Sequence, residues 1–424
     1  MTERLLQFIW KMQYFNKTEL QTTSLEELTI IHPGQFNTNQ GPDFLEATIK
    51  IDDTIWAGHV ELHVNASDWH LHHHAADSNY RNVILHVVWK NDYPDNQEAE
   101  NNIPVLVLEG RVSRLLLDRY HNLMSAQTHI ACSGSIDTIP GIVWESWKDR
   151  LISERLLRKA DLISTHLKQS KGHWEEIFWW WIARNFGMEV NKEAFETIAR
   201  TLPIKILAKH KNQIHQLESF LFGQAGLLNE RFREDYPLML QKEYRFFKKK
   251  YQFAPSFESI YFLRMRPVNF PTVRLAQLAM LIHTSSHLFD KIKTADDLTR
   301  VRNMLAVTAN DYWHYHYRFD EVSPFLEKKV GKQMTENIII NTVVPVLFAY
   351  GHLKQEHQYT DKALRWLEET APEKNNITRQ WTKLGLPVGS AFDSQAYIEL
   401  YKNYCTDKRC LQCVIGNYIL KRQE

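Results

Sequence analysis

Imidazole and carboxyl side chains are concentrated between Gly41 and Trp89. Seven of the 20 histidines of this 424-residue chain fall between residues 59 and 86. General acid–base chemistry and divalent metal ions both require these groups, so this stretch is the candidate site. The histidines are His59, His63, His70, His72, His73, His74 and His86, and the nearby acids are Asp43, Glu61, Asp68 and Asp77.

Thiol groups form a second cluster at the C-terminus. Cys405, Cys410 and Cys413 lie close together in sequence, and Cys132 is the remaining cysteine. Three such thiolates suit a Zn²⁺ ion or an iron–sulfur cluster, and Cys132 would be the fourth ligand if the chain folds back. Cys410 and Cys413 would also share one face of a helix, so buried free thiols are the alternative interpretation.

Basic residues near the middle of the chain are candidates for binding the phosphates of a nucleic acid. Arg264 and Arg266 lie in an Arg-Met-Arg-Pro sequence, and Arg274 follows. The whole chain has 51 Lys and Arg against 50 Asp and Glu, a net charge of +1. Binding to nucleic acid would therefore depend on local patches, and the overall charge does not favour an anionic membrane.

The residues of the candidate site lie on predicted strands. Leu45 to Ile51 alternates between apolar and polar residues, Asp52-Asp53 is a turn signal, and Thr54 to Val64 alternates again. The pattern predicts a β-hairpin whose second strand carries Glu61 and His63 on one face. Between Val64 and Val83 the sequence leaves room for a helix.

The hydrophobic pattern changes near residue 130. Strand patterns dominate before it, and helical periodicity dominates after it. We therefore predict an α/β N-terminal domain with a mixed sheet at residues 1–130, and a mostly α-helical region at residues 131–424 that ends in the cysteine cluster.

The chain carries no recognisable signal for export or membrane insertion. Its N-terminus lacks the uninterrupted apolar core of a signal peptide, and the longest apolar stretch is interrupted by Asn341 and Pro345. A membrane span requires about 18 apolar residues or more. Together with the low cysteine content, these features predict a cytoplasmic protein without a membrane partner.

Pro42-Asp43 before the hairpin and Glu61-Leu62-His63 on its second strand resemble the PD-(D/E)XK nuclease superfamily. The resemblance covers at most residues 1–110. It implies a restriction-endonuclease-like sheet and a metal-dependent phosphodiesterase that acts on nucleic acid. Asp43 and Glu61 would hold Mg²⁺ or Mn²⁺, and His63 would occupy the position of the lysine that supports the attacking water. Asp77 would lie on a polar helix motif that faces the site.

The chain departs from that superfamily in two ways. Imidazole is not a permanent cation near neutral pH, so His63 differs from lysine in charge as well as in shape. If Asp52-Asp53 is a two-residue loop, Ile51 pairs with Thr54 and Glu61 faces Phe44. Asp43 then lies on the other side of the sheet, and its convergence with Glu61 requires a bulge or kink.

Other interpretations of the same residues remain open. They fit a solvated sheet face with a histidine-rich loop, and they fit another kind of metal or acid–base site. The alternative to an enzyme is a non-catalytic nucleic-acid-binding or scaffold protein that retains a degenerate nuclease-like core.

The chain as a whole also resembles an uncharacterised bacterial family of unknown function. The sequences that carry this resemblance are Asn39 to Phe44, Gly58 to His63, Ser67-Asp68-Trp69, Val83 to Val88 and Arg264 to Pro267. The resemblance covers nearly the full length and implies no established activity.

Overall fold

The computed structural model describes residues 1–72, 77–93, 103–254, 258–263 and 265–422. The chain folds into two compact units. The first consists of Met1–Trp147 together with Tyr401–Glu424, and the second of Lys148–Leu400.

A mixed β-sheet forms the centre of the first unit. Its main strand order is β1-β3-β4-β5-β6, and β2 pairs with β3 at one end. β3 is antiparallel to β1 and β4, whereas β4, β5 and β6 are parallel to one another. The strands are β1 (Leu28–His32), β2 (Gln35–Phe36), β3 (Phe44–Ile51), β4 (Thr54–Asn65), β5 (Val83–Lys90) and β6 (Val105–Val107).

Helix α1 (Glu3–Met12) packs against β4. The Thr2 side chain caps it by accepting a hydrogen bond from the Leu5 N–H at 3.3 Å, which satisfies a donor that the first turn leaves unpaired. Its apolar face, which includes Leu6 and Ile9, is fully buried, as are Val60 and Leu62 of β4. Burial of these apolar side chains fixes α1 over the strand that carries Glu61.

The connection from β4 to β5 contains the short helix α2 (Asp68–Leu71) and a 3₁₀ turn (Ser78–Tyr80) among its described residues. Two α-helices and one 3₁₀ segment follow β6. They are α3 (Arg114–Ser125), the 3₁₀ segment (Ser133–Thr138) and α4 (Gly141–Gln169), and α4 continues into the second unit after Trp147. The C-terminal segment of this unit begins with a π-helical turn (Tyr401–Cys405), followed by a 3₁₀ turn (Cys410–Gln412) and α18 (Val414–Lys421).

The second unit is mostly helical. Beyond the greater part of α4 it contains α5 (Trp174–Phe186), α6 (Met188–Thr201), α7 (Ile204–Lys209), α8 (Ile214–Gln224), α9 (Asp235–Tyr251), α10 (Pro271–Thr284), α11 (Leu288–Thr294), α12 (Leu298–Leu305), α13 (Lys332–Ile338), α14 (Val344–Lys354), α15 (His357–Glu369), α16 (Asn376–Lys383) and α17 (Ala391–Leu400). A short hairpin pairs β7 (His316–Arg318) with β8 (Glu321–Val322). The predicted order of a mixed sheet followed by a mostly helical region is thus confirmed.

Within the described ranges, no helix combines the length and the apolar character needed to cross a bilayer.

Candidate active site

A β-bulge at the start of β3 brings Asp43 next to Glu61. From Ile51 opposite Thr54 to Ala47 opposite Gly58 the hairpin keeps one register, but Phe44 then lies opposite Val60. Glu46, between these two parts, has a φ of 58°, in the left-handed region. The extra residue in β3 reverses the face of the sheet to which the Asp43 side chain belongs. The irregularity needed to bring Asp43 and Glu61 together is therefore present.

Hydrogen bonds join the two acidic residues through the backbone. The Asp43 N–H donates to Glu61 Oε2 at 3.0 Å, and the Leu62 N–H donates to Asp43 Oδ2 at 3.2 Å. Each carboxyl group therefore accepts from a backbone amide of the opposite strand. This reciprocal arrangement fixes both carboxyl groups at the edge where β3 and β4 meet.

Helix α1 adds two polar side chains to the pair. Gln7 Nε2 donates to Asp43 Oδ1 at 2.8 Å. Glu3, one helical turn earlier, lies close enough for its charge to raise the pKa of both Asp43 and Glu61. The carboxyl groups of Glu3 on α1, Asp43 just before β3 and Glu61 on β4 thus influence one another electrostatically.

The pKa values of the pair are strongly raised. Burial is the main cause for both groups, followed by Glu3 for Asp43 and by Asp43 for Glu61. Together these effects raise the pKa of Asp43 to about 7 and that of Glu61 to about 9. Because two adjacent buried carboxylates repel each other, the pair retains protons at a pH where isolated acids are ionised. A bound cation would relieve that repulsion.

Three imidazoles form a chain beside Glu61. His63 Nδ1 lies 2.9 Å from His86 Nε2, and His63 Nε2 lies 3.1 Å from His72 Nδ1. The same His63 Nε2 is 3.7 Å from Glu61 Oε1. His63 and His86 are buried, whereas His72 is exposed, so the chain runs from the interior to the surface. Such a chain can carry a proton between Glu61 and solvent.

Two aromatic residues border the imidazole chain. The Trp69 ring lies 5.1 Å from that of His86 and 6.1 Å from that of Tyr80. Burial, and then the charges of Glu61, Asp43 and Asp77, raises the pKa of Tyr80 to about 12. Tyr80 therefore faces the carboxyl pair as a neutral phenol.

Asp77, the fourth predicted site residue, lies at the start of the 3₁₀ turn Ser78–Tyr80. Its Oδ1 accepts from the Asn79 N–H at 2.9 Å, and it caps the 3₁₀ turn that contains Tyr80. Among the described residues, no hydrogen bond joins Asp77 to Asp43 or Glu61. Asp77 positions Tyr80 through this turn.

Sequence reasoning missed several members of the site. Glu3 and Gln7 are spaced to share one face of α1, but nothing in the sequence shows that this face lies over Asp43. His86, one of the seven clustered histidines, is buried, and the sequence does not show that it contacts His63. His73 and His74 lie outside the described residues.

The predicted nucleic-acid-binding residues lie in the second unit. Arg266 is exposed just before the 3₁₀ turn Pro267–Asn269. Arg274 is only 7% exposed, and it donates to Gln277 Oε1 at 2.8 Å and to Asn269 Oδ1 at 2.6 Å. Arg264 lies outside the described residues.

Within the described ranges, no group of three or more His, Cys, Asp or Glu side chains stands in a metal-holding arrangement. Asp43 and Glu61 are therefore a pair of candidate donors. The four cysteines, all free thiols, belong to the first unit.

Comparison with known proteins gives a family for the chain. No curated protein and no solved structure matches it. The family match includes Asp43, Glu61 and His63 and ends before the C-terminal cysteines. The family is described as "Protein of unknown function (DUF2851)", and because its model matches residues 3–376, the chain belongs to it.

Proposed function

We propose that the first unit is a metal-dependent phosphodiesterase that acts on nucleic acid. The observation that carries this proposal is the bulge that sets Asp43 beside Glu61, with His63 two residues further along β4 on the same face. The order of a helix, an antiparallel hairpin and then parallel strands also supports a restriction-endonuclease-like core.

The donor set of the pair fits Mg²⁺ or Mn²⁺. Both prefer oxygen ligands, and Mg²⁺ commonly binds one or two carboxylates while it keeps several waters. Asp43 and Glu61 would hold the ion, which would supply charge neutralisation of the phosphate and a more acidic water. The raised pKa values favour this, because a bound cation would relieve the repulsion between the two buried carboxylates.

His63 would accept the proton of the attacking water. A neutral imidazole can take a proton, whereas the lysine ammonium of the superfamily cannot. The contact between His63 and His72 offers a route for that proton to the surface. Replacement of lysine by histidine would then change the means of activating water and keep the reaction.

Basic residues of the second unit would bind the substrate. Arg264, Arg266 and Arg274 remain candidates, and of the two described ones Arg266 has the exposed side chain. Arg266→Gln should weaken binding to all sequences alike and reduce its salt dependence, because a phosphate contact carries no sequence information.

Cleavage assays test the proposed activity. Full-length protein is incubated with single- and double-stranded DNA and RNA in Mg²⁺, Mn²⁺ or EDTA. We expect metal-dependent cleavage that falls on the order of 100-fold in Asp43→Asn, Glu61→Gln and His63→Gln. Glu27→Gln and His121→Ala change exposed residues of the same unit and should leave activity unchanged. Equal activity of wild type and Glu61→Gln would overturn the proposal.

One observation favours the non-catalytic alternative. Both ring nitrogens of His63 already contact other imidazoles, so neither stands open to a water molecule. In that case the core would bind nucleic acid without cutting it. Binding that persists in Glu61→Gln, with no cleavage by wild type in either metal, would identify this function.

A further inference from the structure

A cavity of about 590 Å³ lies within the second unit. It is lined by residues of α5, α7, α10 and α11, by the chain between α10 and α11, and by Tyr350 of α14. Cavities of this size with mostly apolar walls are typical of binding sites for small organic molecules. None of the lining residues belongs to the first unit, so a role for this cavity does not rest on the proposed cleavage of nucleic acid.

Aromatic and aliphatic side chains form most of the cavity wall. The Trp174 ring stacks on that of Phe289 with centroids 5.9 Å apart, and it meets the Tyr350 ring in a T-shaped contact at 5.0 Å. These contacts between rings hold the wall in place. Removal of an apolar molecule from water against such a wall is favourable. The other apolar side chains of the wall include Phe178, Trp179, Ile182, Leu278, Leu281 and Ile282.

The three acidic side chains of the lining, which balance its three lysines in number, already have partners. Glu175 accepts hydrogen bonds from the backbone N–H groups of Phe289 at 3.3 Å and Asp290 at 2.9 Å. Glu176 accepts one backbone N–H at 3.0 Å and one indole N–H at 3.3 Å. The Asp290 carboxylate pairs with the Lys293 ammonium group at 3.0 Å. The acids of the lining are therefore engaged by donors of the protein itself.

Lys205 and Lys211 supply positive charge without a directly bonded acid. Both line the cavity, and within the described ranges no ion pair joins either ammonium group to a carboxylate. Burial raises the pKa of Glu176, and the charge of Lys205 acts in the opposite direction without a direct contact. Lys205 is exposed and Lys211 is half-buried, so both charges lie on the solvent side of the apolar wall. Ser285 and Ser286 add hydroxyl groups to the lining.

We propose that this cavity binds a small organic anion with an apolar body and one carboxylate. The body would lie against the aromatic wall, and the carboxylate would accept hydrogen bonds from the ammonium groups of Lys205 and Lys211. Charge-assisted hydrogen bonds of this kind are stronger than those between neutral groups. A cationic ligand would meet acids that are already bonded, and a neutral ligand would leave both lysine charges unused.

Binding titrations of the full-length protein at pH 7 test the proposal. The anionic probes are octanoate and 2-naphthoate, and 1-octanol, 2-naphthol and octylammonium are their neutral and cationic analogues. We expect carboxylate binding on the order of 10-fold tighter than binding of the analogues. The two carboxylates distinguish the possible bodies, because tighter binding of octanoate indicates an acyl chain and tighter binding of 2-naphthoate indicates an aromatic ring.

Variants of the lining separate the contribution of charge from that of shape. Lys205→Gln combined with Lys211→Gln should weaken carboxylate binding on the order of 10-fold and leave binding of the alcohols unchanged. Lys209→Gln, at an exposed position of α7 outside the lining, should bind like wild type. Ala208→Trp places a large ring in the cavity and should abolish binding of every probe, whereas Ala306→Trp, at an exposed position away from the lining, should not.

Three results would overturn the proposal. The first is folded wild type that binds neither carboxylate. The second is carboxylate binding no tighter than that of the neutral or cationic analogues. The third is unchanged carboxylate affinity in the double lysine variant or in Ala208→Trp. Far-UV circular dichroism establishes that each variant is folded, and because neither lysine is buried, the double lysine variant decides the matter if Ala208→Trp does not fold.

Discussion

At the scale of single residues, burial raises the pKa of Asp43 and Glu61, so the charge of this pair changes with pH. A raised pKa means that the folded state binds protons more tightly than the unfolded chain. The stability that these protons contribute is fully present below about pH 4 and is lost as the pH rises through about 7 for Asp43 and about 9 for Glu61. The metal-free protein should therefore become less stable toward alkaline pH.

Replacement of Glu61 by glutamine should flatten this pH dependence. The amide is neutral at every pH and can still accept the Asp43 N–H bond. In EDTA we expect Glu61→Gln to match wild type near pH 5 and to be more stable than wild type at pH 9, since only the wild type must ionise a buried carboxyl group beside Asp43 there. Urea denaturation at pH 5, 7 and 9 measures the difference. Parallel pH curves for the two proteins, with Glu27→Gln as the control, would contradict the assigned protonation.

Divalent metal should reverse the loss of stability at alkaline pH. Mg²⁺ or Mn²⁺ binds the ionised pair, so it stabilises wild type by about 2.7 kcal/mol at a concentration 100 times its dissociation constant. Glu61→Gln should gain much less. Thermal unfolding at pH 8.5, with and without Mn²⁺, separates the two cases without any nuclease substrate. A metal-induced shift of equal size in the variant would place the ion elsewhere.

Much of the pair was predictable at the residue scale. The sequence Pro42-Asp43 and the alternation around Glu61 and His63 identify the members, because residue type and period 2 are local properties. The contact of His63 with His72 and His86 is not local, since it depends on how the chain returns to the sheet after β4. The participation of Glu3 depends on the packing of α1.

At the scale of elements, the bulge in β3 brings Asp43 and Glu61 of the candidate site together. The hairpin and its Asp52-Asp53 turn were predicted, and the turn is indeed two residues long. The position of the bulge was not predictable. Left-handed backbone at Glu46 has no sequence signature, because glycine or asparagine is the usual residue there. The helix expected between Val64 and Val83 is shorter, with α2 occupying four residues among those described.

The parallel contact between β4 and β5 offers a test at this scale. A Cβ on Gly58 would lie 2.5 Å from both the Asn82 carbonyl oxygen and Ile84 Cγ2. Gly58→Ala should therefore separate the strands beside the site and cost about 1–3 kcal/mol of stability. Gly134→Ala is the matched control, because its Cβ would meet no atom within 4 Å. Equal urea midpoints for the two variants would show that the strands accommodate the methyl group.

At the scale of the whole molecule, the C-terminal segment belongs to the first unit. Tyr401–Glu424 joins Met1–Trp147, although more than 250 residues separate them in sequence. The predicted boundary at residue 130 remains a prediction. The hydrophobic periodicity of the sequence does not show with which unit the residues after Leu400 pack. A helical pattern indicates which face of a segment is apolar. Which element packs against that face depends on the path of the entire chain.

Lys408 is the residue on which the placement of this segment can be tested. Its ammonium group bonds two backbone carbonyls, and a hydrogen bond from a charged group contributes about 1.5–3 kcal/mol. Lys408→Met keeps much of the side-chain length and removes the donors. We expect faster amide hydrogen exchange at residues 410–421 and earlier tryptic cleavage near Lys421, because the segment opens more often without its anchor. Lys402→Met, at an exposed position of the same segment, should exchange like wild type. If both variants exchange at the wild-type rate, the segment is held by its apolar contacts, such as those of Ile415 and Leu420, and not by Lys408.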